Sequence, residues 1–244
     1  MSTTAYNLRY KVLSSDVDPV RRLRLSRLFT LLQEAAIAHT EALGFGRKKT
    51  LDRGFLWVLA LQEIQVSRLP FYDEQIILES VPGETMHTLY PRYSRILDDN
   101  GNELLNVSSI WTLIGEDDRS MAAPERTGVL IHGMDVEWKP AFPRTPRSAS
   151  DDSPRSWTVP YSMTDLNGHL NNARYVDLAE DAMPAVLRAR RLKRIQAEYA
   201  SEIRFGESMA LSAELHESCF LFSGSAGKRV FRLRFDYYAG DEKQ

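Results

Sequence analysis

The amino-acid sequence predicts an α+β fold made of two similar halves in one chain. A strand-like segment, a polar turn, a helix and several antiparallel strands follow one another, and the same order then recurs. Five prolines in residues 116–154 separate the two series and indicate a linker. The chain has 244 residues, of which 43% are hydrophobic and 26% are charged, and this composition is sufficient for a large buried core.

The first half begins with alternating polar and apolar residues at positions 7–12, which is typical of a half-buried strand. A turn follows, and then apolar residues at helical spacing predict a helix over about residues 23–43, with Gly44 in the position of a C-terminal cap. Strands are predicted at about residues 56–67, 75–81, 88–97 and 103–114. Asn100 and Gly101 indicate a hairpin between the last two strands.

The second half repeats this order, with a strand at residues 157–161, a polar turn and a helix from about Asn172. Strands are predicted near residues 197–205, 209–216, 219–223 and 229–237, and the glycines of 224–227 supply the last turn. We therefore divide the chain into an N-terminal half at 1–115, a crossover at 116–154 and a C-terminal half at 155–244. The crossover is expected to be ordered, with segments 129–131 and 136–138 packed on the halves and a flexible section near 147–153.

The composition narrows the classes of function. A formal net charge of −2 at pH 7, without a basic tract interleaved with aromatic residues, argues against a dedicated nucleic-acid binder. No run of about 18 apolar residues occurs, so no membrane span is expected. The first residues lack the apolar segment of a targeting peptide. A single cysteine, Cys219, excludes an intramolecular disulfide and leaves no cysteine cluster for zinc, and a cytoplasmic protein fits best.

The most chemically distinctive segment is the polar turn before the second helix. Asp165, Asn167 and His169 occupy alternate positions, so in an extended backbone their side chains point to one side. Together they can orient a group, donate hydrogen bonds to negative charge and move a proton. Helix capping is the simpler explanation for any one of them and for Asn171 and Asn172, but capping does not account for His169.

The pattern D-x-N-G-H-x-N-N-x-x-Y from Asp165 to Tyr175 closely resembles the active-site segment of acyl-acyl carrier protein thioesterases. The segment from Tyr199 to Glu202 resembles the Tyr-x-x-Glu part of the same signature. Segments 31–36, 54–59 and 109–113 have counterparts in the family as well. The resemblance covers nearly the whole chain and favours the bacterial branch. It implies a tandem hotdog fold with two antiparallel sheets, each wrapping a long helix.

The resemblance implies hydrolysis of a fatty acyl thioester by an activated water molecule. In this reading Glu202 is the general base, with its pKa raised by burial beside the acyl chain. Asn167 positions the water or the carbonyl, His169 donates to the oxyanion or relays a proton, and Asp165 fixes the imidazole ring. Asp165 remains the alternative base.

Other mechanisms lack their key residues. Plant members often carry a cysteine after the glutamate, but Ile203 stands there, and Cys219 is expected to be a small buried residue, so a covalent cysteine mechanism is disfavoured. No Gly-x-Ser-x-Gly elbow occurs. One histidine with an amide is a poor set of metal ligands, so no metal and no cofactor are expected. The remaining histidines are expected to be structural or on the surface, namely His39, His87, His132 and His216.

The resemblance places the acyl chain largely in the first half, between helix and sheet. The candidate substrate-binding residues, for which ordinary core packing is the alternative, are Leu28, Leu32, Trp57, Leu59, Leu61, Asn172 and Tyr175. A basic run after the second helix is a candidate docking patch for the acidic carrier protein. A solvated helix C-terminus is the alternative explanation of this run, which contains Arg188, Arg190, Arg191, Lys193 and Arg194.

The sequence thus predicts release of free fatty acid from acyl-acyl carrier protein. The alternatives are the same reaction on acyl-CoA, a catalytically silent acyl-binding protein, and a hotdog dehydratase acting on a hydroxyacyl thioester. Aligning residues 16–18 with 165–167 puts Val20 at the position of His169, and a second alignment puts Arg68 at the position of Glu202. The first half is therefore expected to be catalytically silent and to hold the chain. Acyl chain length, saturation and the choice between monomer and homodimer stay open.

Overall fold

The computed structural model describes residues 4–150 and 153–239. The first half consists of β1 (Tyr6–Lys11), α1 (Leu25–Ala42), β2 (Phe55–Val66), β3 (Gln75–Pro82), β4 (Leu89–Asp98) and β5 (Glu103–Gly115). The crossover contains α2 (Pro124–Thr127). The second half consists of β6 (Arg155–Thr158), α3 (Asn172–Ala182), α4 (Ala185–Arg188), β7 (Leu192–Tyr199), β8 (Ser208–Leu215), β9 (Cys219–Ala226) and β10 (Lys228–Tyr237). Within these described ranges no helix is long and apolar enough to cross a bilayer.

The described strands form one continuous antiparallel sheet in the order β1-β3-β4-β5-β2-β7-β10-β9-β8-β6. Read outward from the centre, each half has the same strand order, so the two halves are related by an approximate twofold axis between β2 and β7. The register at this joint runs from Leu61 opposite Glu198 to Gln65 opposite Arg194. The predicted fold class is confirmed, and its two sheets are joined edge to edge.

Both long helices pack against the sheet and contact each other. The buried face of α1 includes Leu28, Leu32 and Ala35, which recur at the spacing that the sequence indicated. One apolar core extends through both halves. A smaller cluster includes Val129 and Ile131 of the crossover, so this apolar segment packs on the first half as predicted.

The crossover runs along the surface of both halves. The backbone N–H of Arg144 donates to Glu63 Oε2 at 3.2 Å, and Arg147 donates to Glu214 Oε1 at 2.7 Å. The section predicted to be flexible therefore begins with an ion pair to β8. Two residues of that section, Asp151 and Asp152, lie outside the described residues.

The prediction for β7 was wrong by several residues. The strand begins at Leu192 and ends at Tyr199, so Glu202 lies in the loop after it and not in the strand. The basic run therefore ends inside the sheet, and Lys193 and Arg194 are strand residues rather than part of a helix C-terminus. Lys193 and Arg194 near the start of β7 obscured this strand in the sequence, and residues 195–197 behind them are buried consecutively rather than alternately.

The backbone also corrects the register of the internal repeat. Asp18 Oδ1 accepts from the N–H groups of Val20 and Arg22, at 3.0 and 2.9 Å. Asp165 Oδ1 accepts from those of Asn167 and His169 in the same way, at 2.8 and 3.3 Å. Asp18 therefore corresponds to Asp165, and the residue at the position of His169 is Arg22, not Val20.

The loops after β2 and β7 match by the same criterion. The N–H of Leu23 donates to Pro70 O, and the N–H of Leu170 donates to Ile203 O. Pro70 thus corresponds to Ile203, and the residue before Pro70 corresponds to Glu202. That residue is Leu69, not Arg68, so the first half carries no carboxylate at this position.

Ile64→Ala tests the packing of the joint between the halves. Ile64 lies opposite Ile195 across β2 and β7, and both side chains are fully buried. We expect the free energy of unfolding in urea to fall by about 2–5 kcal/mol, because truncation leaves a cavity in the core. Ile37→Ala on the exposed face of α1 is the control and should change it by less than about 0.5 kcal/mol. Equal effects of the two substitutions would contradict this packing.

Candidate active site

Backbone hydrogen bonds hold the polar turn before α3 in one conformation. The N–H of Asp165 donates to His169 O at 2.8 Å, and the N–H of Gly168 donates back to Asp165 O at 3.0 Å. Gly168 has a positive φ of 75°, which glycine adopts without strain. Because the Asp165 carboxylate accepts two backbone N–H groups, its direct role is to close the turn.

The closed turn places His169 inside the molecule and leaves Asn167 outside. His169 is 7% exposed, whereas Asn167 is exposed and its side chain makes no hydrogen bond to any described residue. The predicted alternation required an extended backbone, and the left-handed Gly168 interrupts it. The three side chains therefore do not converge.

Glu202 reaches His169 from the loop that follows β7. Its Oε2 lies 3.4 Å from His169 Nε2, and its side chain is 29% exposed. The neighbouring backbone fixes this loop, because the N–H of Ser201 donates to Val230 O at 3.1 Å and Ile203 O accepts from Leu170. The structure therefore brings together His169 and Glu202, which the resemblance to the family had placed in one site.

Arg119 is a site residue that the sequence analysis missed. It lies in the turn after β5, in the segment that we interpreted as linker, and its Nη2 contacts Glu202 Oε2. The same Nη2 lies 3.4 Å from His169 Nε2. Hydrogen bonds from the N–H of Gly115 to Ser120 O and from that of Arg119 to Gly115 O close the turn. The candidate site therefore combines a residue of the crossover with two residues of the second half.

Burial and the neighbouring charges determine which of the three groups are charged. Burial lowers the pKa of His169, the Arg119 guanidinium lowers it further, and the charge of Asp165 opposes this shift. The imidazole is therefore neutral at pH 7. If Nε2 carries the proton, it donates to Glu202, and if Nδ1 carries it, Nε2 accepts from Arg119. A guanidinium in contact with Glu202 favours the ionised carboxylate. The sequence analysis had considered only burial beside the acyl chain as an influence on this residue.

Other predicted residues of α3 have structural contacts. Asn171 Oδ1 caps the helix by accepting from the N–H of Ala173 at 2.9 Å, as predicted. The Tyr199 hydroxyl donates to Asn172 O at 3.1 Å, and its ring packs against Tyr175. Tyr175 is buried among aromatic rings, and Asn172 is half-buried.

A cavity lies between α1 and the sheet of the first half. Two of the predicted substrate-binding residues, Leu32 and Leu59, line it. Leu28 belongs to the core and Trp57 packs edge-on against Tyr90, so neither of them lines the cavity, and Leu61 does not line it either. The remaining lining residues are Gln33, Ala36, Gln62, Arg92, Ser94, Val107, Ser109 and Trp111. Half of the lining residues are polar, which the sequence analysis did not predict.

The basic run presents only part of its charge to solvent. Arg188 and Lys193 are exposed. Arg194 pairs with Asp236 at 2.7 Å, and Arg190 donates to Glu217 O at 2.7 Å. The fifth residue, Arg191, donates to Ser67 O in the first half at 3.1 Å. Arg188 also donates to Glu180 O at 3.1 Å, and Lys193 lies over the Tyr238 ring, so all five predicted docking residues have contacts within the fold.

The described residues contain no group of three or more His, Cys, Asp or Glu side chains placed to hold a metal ion. Cys219 is buried in β9, as predicted, and burial raises the pKa of its thiol.

Comparison with protein families matches both halves of the chain. The model described as the acyl-ACP thioesterase N-terminal domain matches residues 3–125, and the one described as the acyl-ACP thioesterase C-terminal domain matches residues 147–229. Among curated proteins, the chain is 24% identical over 213 residues to a chloroplastic acyl-[acyl-carrier-protein] hydrolase of Cuphea viscosissima. This alignment covers 81% of the chain and 52% of the relative, so the chain spans about half the length of that protein.

Solved structures show the same fold. An acyl-ACP thioesterase from Bacteroides thetaiotaomicron superimposes with a TM-score of 0.85 at 21% identity, over 96% of this chain and 98% of that one. The 12:0-ACP thioesterase from Umbellularia californica gives a TM-score of 0.79 at 18% identity, over 96% and 97%. The double hotdog fold expected from the sequence is confirmed.

Arg119→Met tests whether the Arg119 guanidinium lowers the pKa of His169. Removing the guanidinium removes a charge that disfavours the imidazolium, so we expect the pKa of His169 to rise. An NMR titration of the His169 ring protons measures this shift. Arg126→Met is the matched control, because Arg126 is paired with Asp118 and should leave the pKa of His169 unchanged. An unchanged or lower pKa in Arg119→Met would contradict the contact.

Proposed function

The chain belongs to the acyl-acyl carrier protein thioesterase family, and on this basis we propose that it hydrolyses the thioester of a fatty acyl-acyl carrier protein. The products are a free fatty acid and holo-acyl carrier protein. The observation that carries this proposal is the contact of Glu202 with both His169 and Arg119, beside the D-x-N-G-H turn of the family.

In the proposed reaction Glu202 is the general base. Its ionised carboxylate accepts a proton from water, and the water oxygen forms the new bond to the thioester carbonyl carbon. The tetrahedral intermediate then expels the thiolate, which takes the proton from Glu202. Asp165 is the less suitable base, because Oδ1 of its carboxylate already accepts two backbone N–H groups.

Arg119 and His169 supply the complementary charge and hydrogen bonding. The guanidinium keeps Glu202 ionised and brings a positive charge to the oxyanion as it forms. Neutral His169 donates from Nε2 in one tautomer and so serves as the second donor. Since Arg119 comes from the crossover and Glu202 from the second half, a single chain contains all three groups of the proposed site, and a monomer is sufficient for catalysis in this proposal.

The acyl chain and its carrier occupy different surfaces in this proposal. The acyl chain binds in the first half between α1 and the sheet, where Leu32 and Leu59 provide apolar surface. The acidic carrier protein approaches the exposed cations Arg188 and Lys193. We propose a cytoplasmic location, which the single cysteine of the chain favours.

Thiol release from purified substrates tests the proposed activity. We expect the chain to hydrolyse acyl-acyl carrier protein, and Glu202→Gln to lower kcat about 100-fold or more, because a general base contributes at least this factor. Asp165→Asn keeps an oxygen that accepts the backbone N–H groups, and we expect a smaller loss of kcat.

Several results would contradict the proposal. A clear preference for acyl-CoA would show that the substrate is the CoA thioester and not the carrier-protein thioester. Unchanged rates in Glu202→Gln and His169→Ala would indicate a silent acyl-binding protein. Loss of water from a hydroxyacyl substrate without thiol release would indicate a dehydratase. A larger loss of kcat in Asp165→Asn than in Glu202→Gln would show that Asp165, and not Glu202, is the general base.

Charge reversal tests the carrier surface. We expect Arg188→Glu with Lys193→Glu to lower kcat/KM for acyl-acyl carrier protein roughly ten-fold at low salt, because the acidic partner is no longer steered to the site. Hydrolysis of the same acyl chain on free pantetheine should be unchanged. Lys48→Glu, an exposed cation of the first half, is the matched control. Equal effects on both substrates would show that these residues act on the fold rather than on docking.

A further inference from the structure

The backbone of Arg119 has an unusual conformation that two hydrogen bonds hold in place. Its φ is 53°, in the left-handed region, which an arginine occupies only where neighbouring contacts stabilise it. The N–H of Arg119 donates to Gly115 O at 3.0 Å, and the N–H of Ser120 donates to Asp118 Oδ1 at 3.0 Å. These N–H groups belong to the two peptide groups that flank the Arg119 Cα. Together the two bonds therefore determine the direction in which the Arg119 side chain leaves the backbone.

One of these two bonds depends on a side chain. Asp118 accepts from the N–H two residues further along, a common use of aspartate in turns, and the bond spans Arg119. The Ser120 N–H and hydroxyl, together with Arg126, lower the pKa of Asp118, so the acceptor is an ionised carboxylate at neutral pH. Arg126 contacts side-chain atoms of the turn, namely Asp118 Oδ2 at 2.9 Å and Ser120 Oγ at 3.1 Å. The bond to Oδ1 is therefore separate from the ion pair with Arg126.

Gly115 at the end of β5 leaves room for this carboxylate. A Cβ added to Gly115 would lie 2.2 Å from Asp118 Oδ1, which is closer than real Cβ contacts come. Gly115 does not have a positive φ, so its backbone is compatible with alanine. The position of the Asp118 carboxylate, and not the local backbone, is thus what requires a glycine here. Two residues of the turn are fitted to the same hydrogen bond.

We propose that Asp118 is a positioning residue of the candidate site, whose Oδ1 fixes the peptide group after Arg119 and so directs the guanidinium to Glu202 and His169. Its effect on catalysis rests on the proposed function, in which Arg119 and Glu202 take part in thioester hydrolysis. The positioning itself rests only on the geometry of the turn. Asp118 lies at the start of the segment that the sequence analysis interpreted as a linker.

The pKa of His169, measured by NMR titration, tests the positioning without any turnover. Loss of the Asp118 bond lets the guanidinium move away from the imidazole. We therefore expect Asp118→Ala to raise the pKa of His169 by at least about half of the rise in Arg119→Met. Removal of the Asp118 charge by itself has the opposite sign, because losing a negative charge disfavours the imidazolium. The direction of the change thus separates positioning from a simple effect of charge.

Three further variants isolate the hydrogen bond. Asp118→Asn removes the charge but keeps an oxygen that accepts from Ser120, so the pKa of His169 should not rise. Gly115→Ala displaces the carboxylate and should raise this pKa, which keeps the test valid if Asp118→Ala does not fold. Asp117→Ala, at the exposed neighbouring aspartate, is the matched control and should not raise it. Asp118→Ala added to Arg119→Met should cause no further rise, because both act through one guanidinium.

Hydrolysis of acyl-acyl carrier protein gives the second readout. We expect Asp118→Ala to lower kcat about ten-fold or more, and to change KM less than about two-fold, because the displaced cation is needed mainly as the oxyanion forms. Asp118→Asn should retain kcat. An unchanged or lower pKa of His169 in Asp118→Ala, or an equal rise in Asp117→Ala, would overturn the inference. Absence of hydrolysis by the original chain would instead overturn the proposed function, and the NMR titration would still decide the positioning.

Discussion

The backbone pairing of β2 with β7 is the interaction on which the rest of this structure depends. It turns two five-stranded units into one sheet, and it aligns them so that the ends of neighbouring strands meet. The turn after β5 and the loop after β7 thereby approach each other, which brings Arg119 to Glu202. A slip of this register would separate the two residues and would also expose the buried side chains of the joint. Fold and site are thus fixed by the same set of hydrogen bonds.

The chemistry of the site follows from unequal burial of three neighbouring groups. His169 is almost fully enclosed and therefore neutral, whereas Glu202 keeps partial access to solvent and has a cation beside it. This arrangement leaves one carboxylate and one guanidinium as the charged pair, with a neutral ring that can donate or accept. Asp165 contributes mainly by holding the backbone from which the ring projects.

The sequence was sufficient for the features that depend on local patterns. Helical spacing predicted α1, and the Asn100–Gly101 pair predicted the turn between β4 and β5. The grouping of His169 with Glu202 came from the resemblance to the family. The sequence was insufficient wherever tertiary contacts or the backbone conformation determine the position of a side chain. Arg119 stands in no motif, and its role comes from a partner that is distant along the chain. The left-handed Gly168 redirected Asn167. The first turn contains two aspartates, Asp16 and Asp18, and only the backbone hydrogen bonds show which one matches Asp165.

The first half has Arg22 at the position that His169 occupies in the second half, and this difference breaks the twofold symmetry of the chain. In the first half Arg22 forms an ion pair with Asp18 and donates to Arg188 O of the second half at 2.6 Å. The turn of the first half that corresponds to the candidate site therefore links the two halves. A symmetric pair of identical subunits could not assign these two tasks separately, because any change to one turn would appear in both. Covalent linkage removes that restriction. The chain accordingly has one candidate site for each pair of hotdog units.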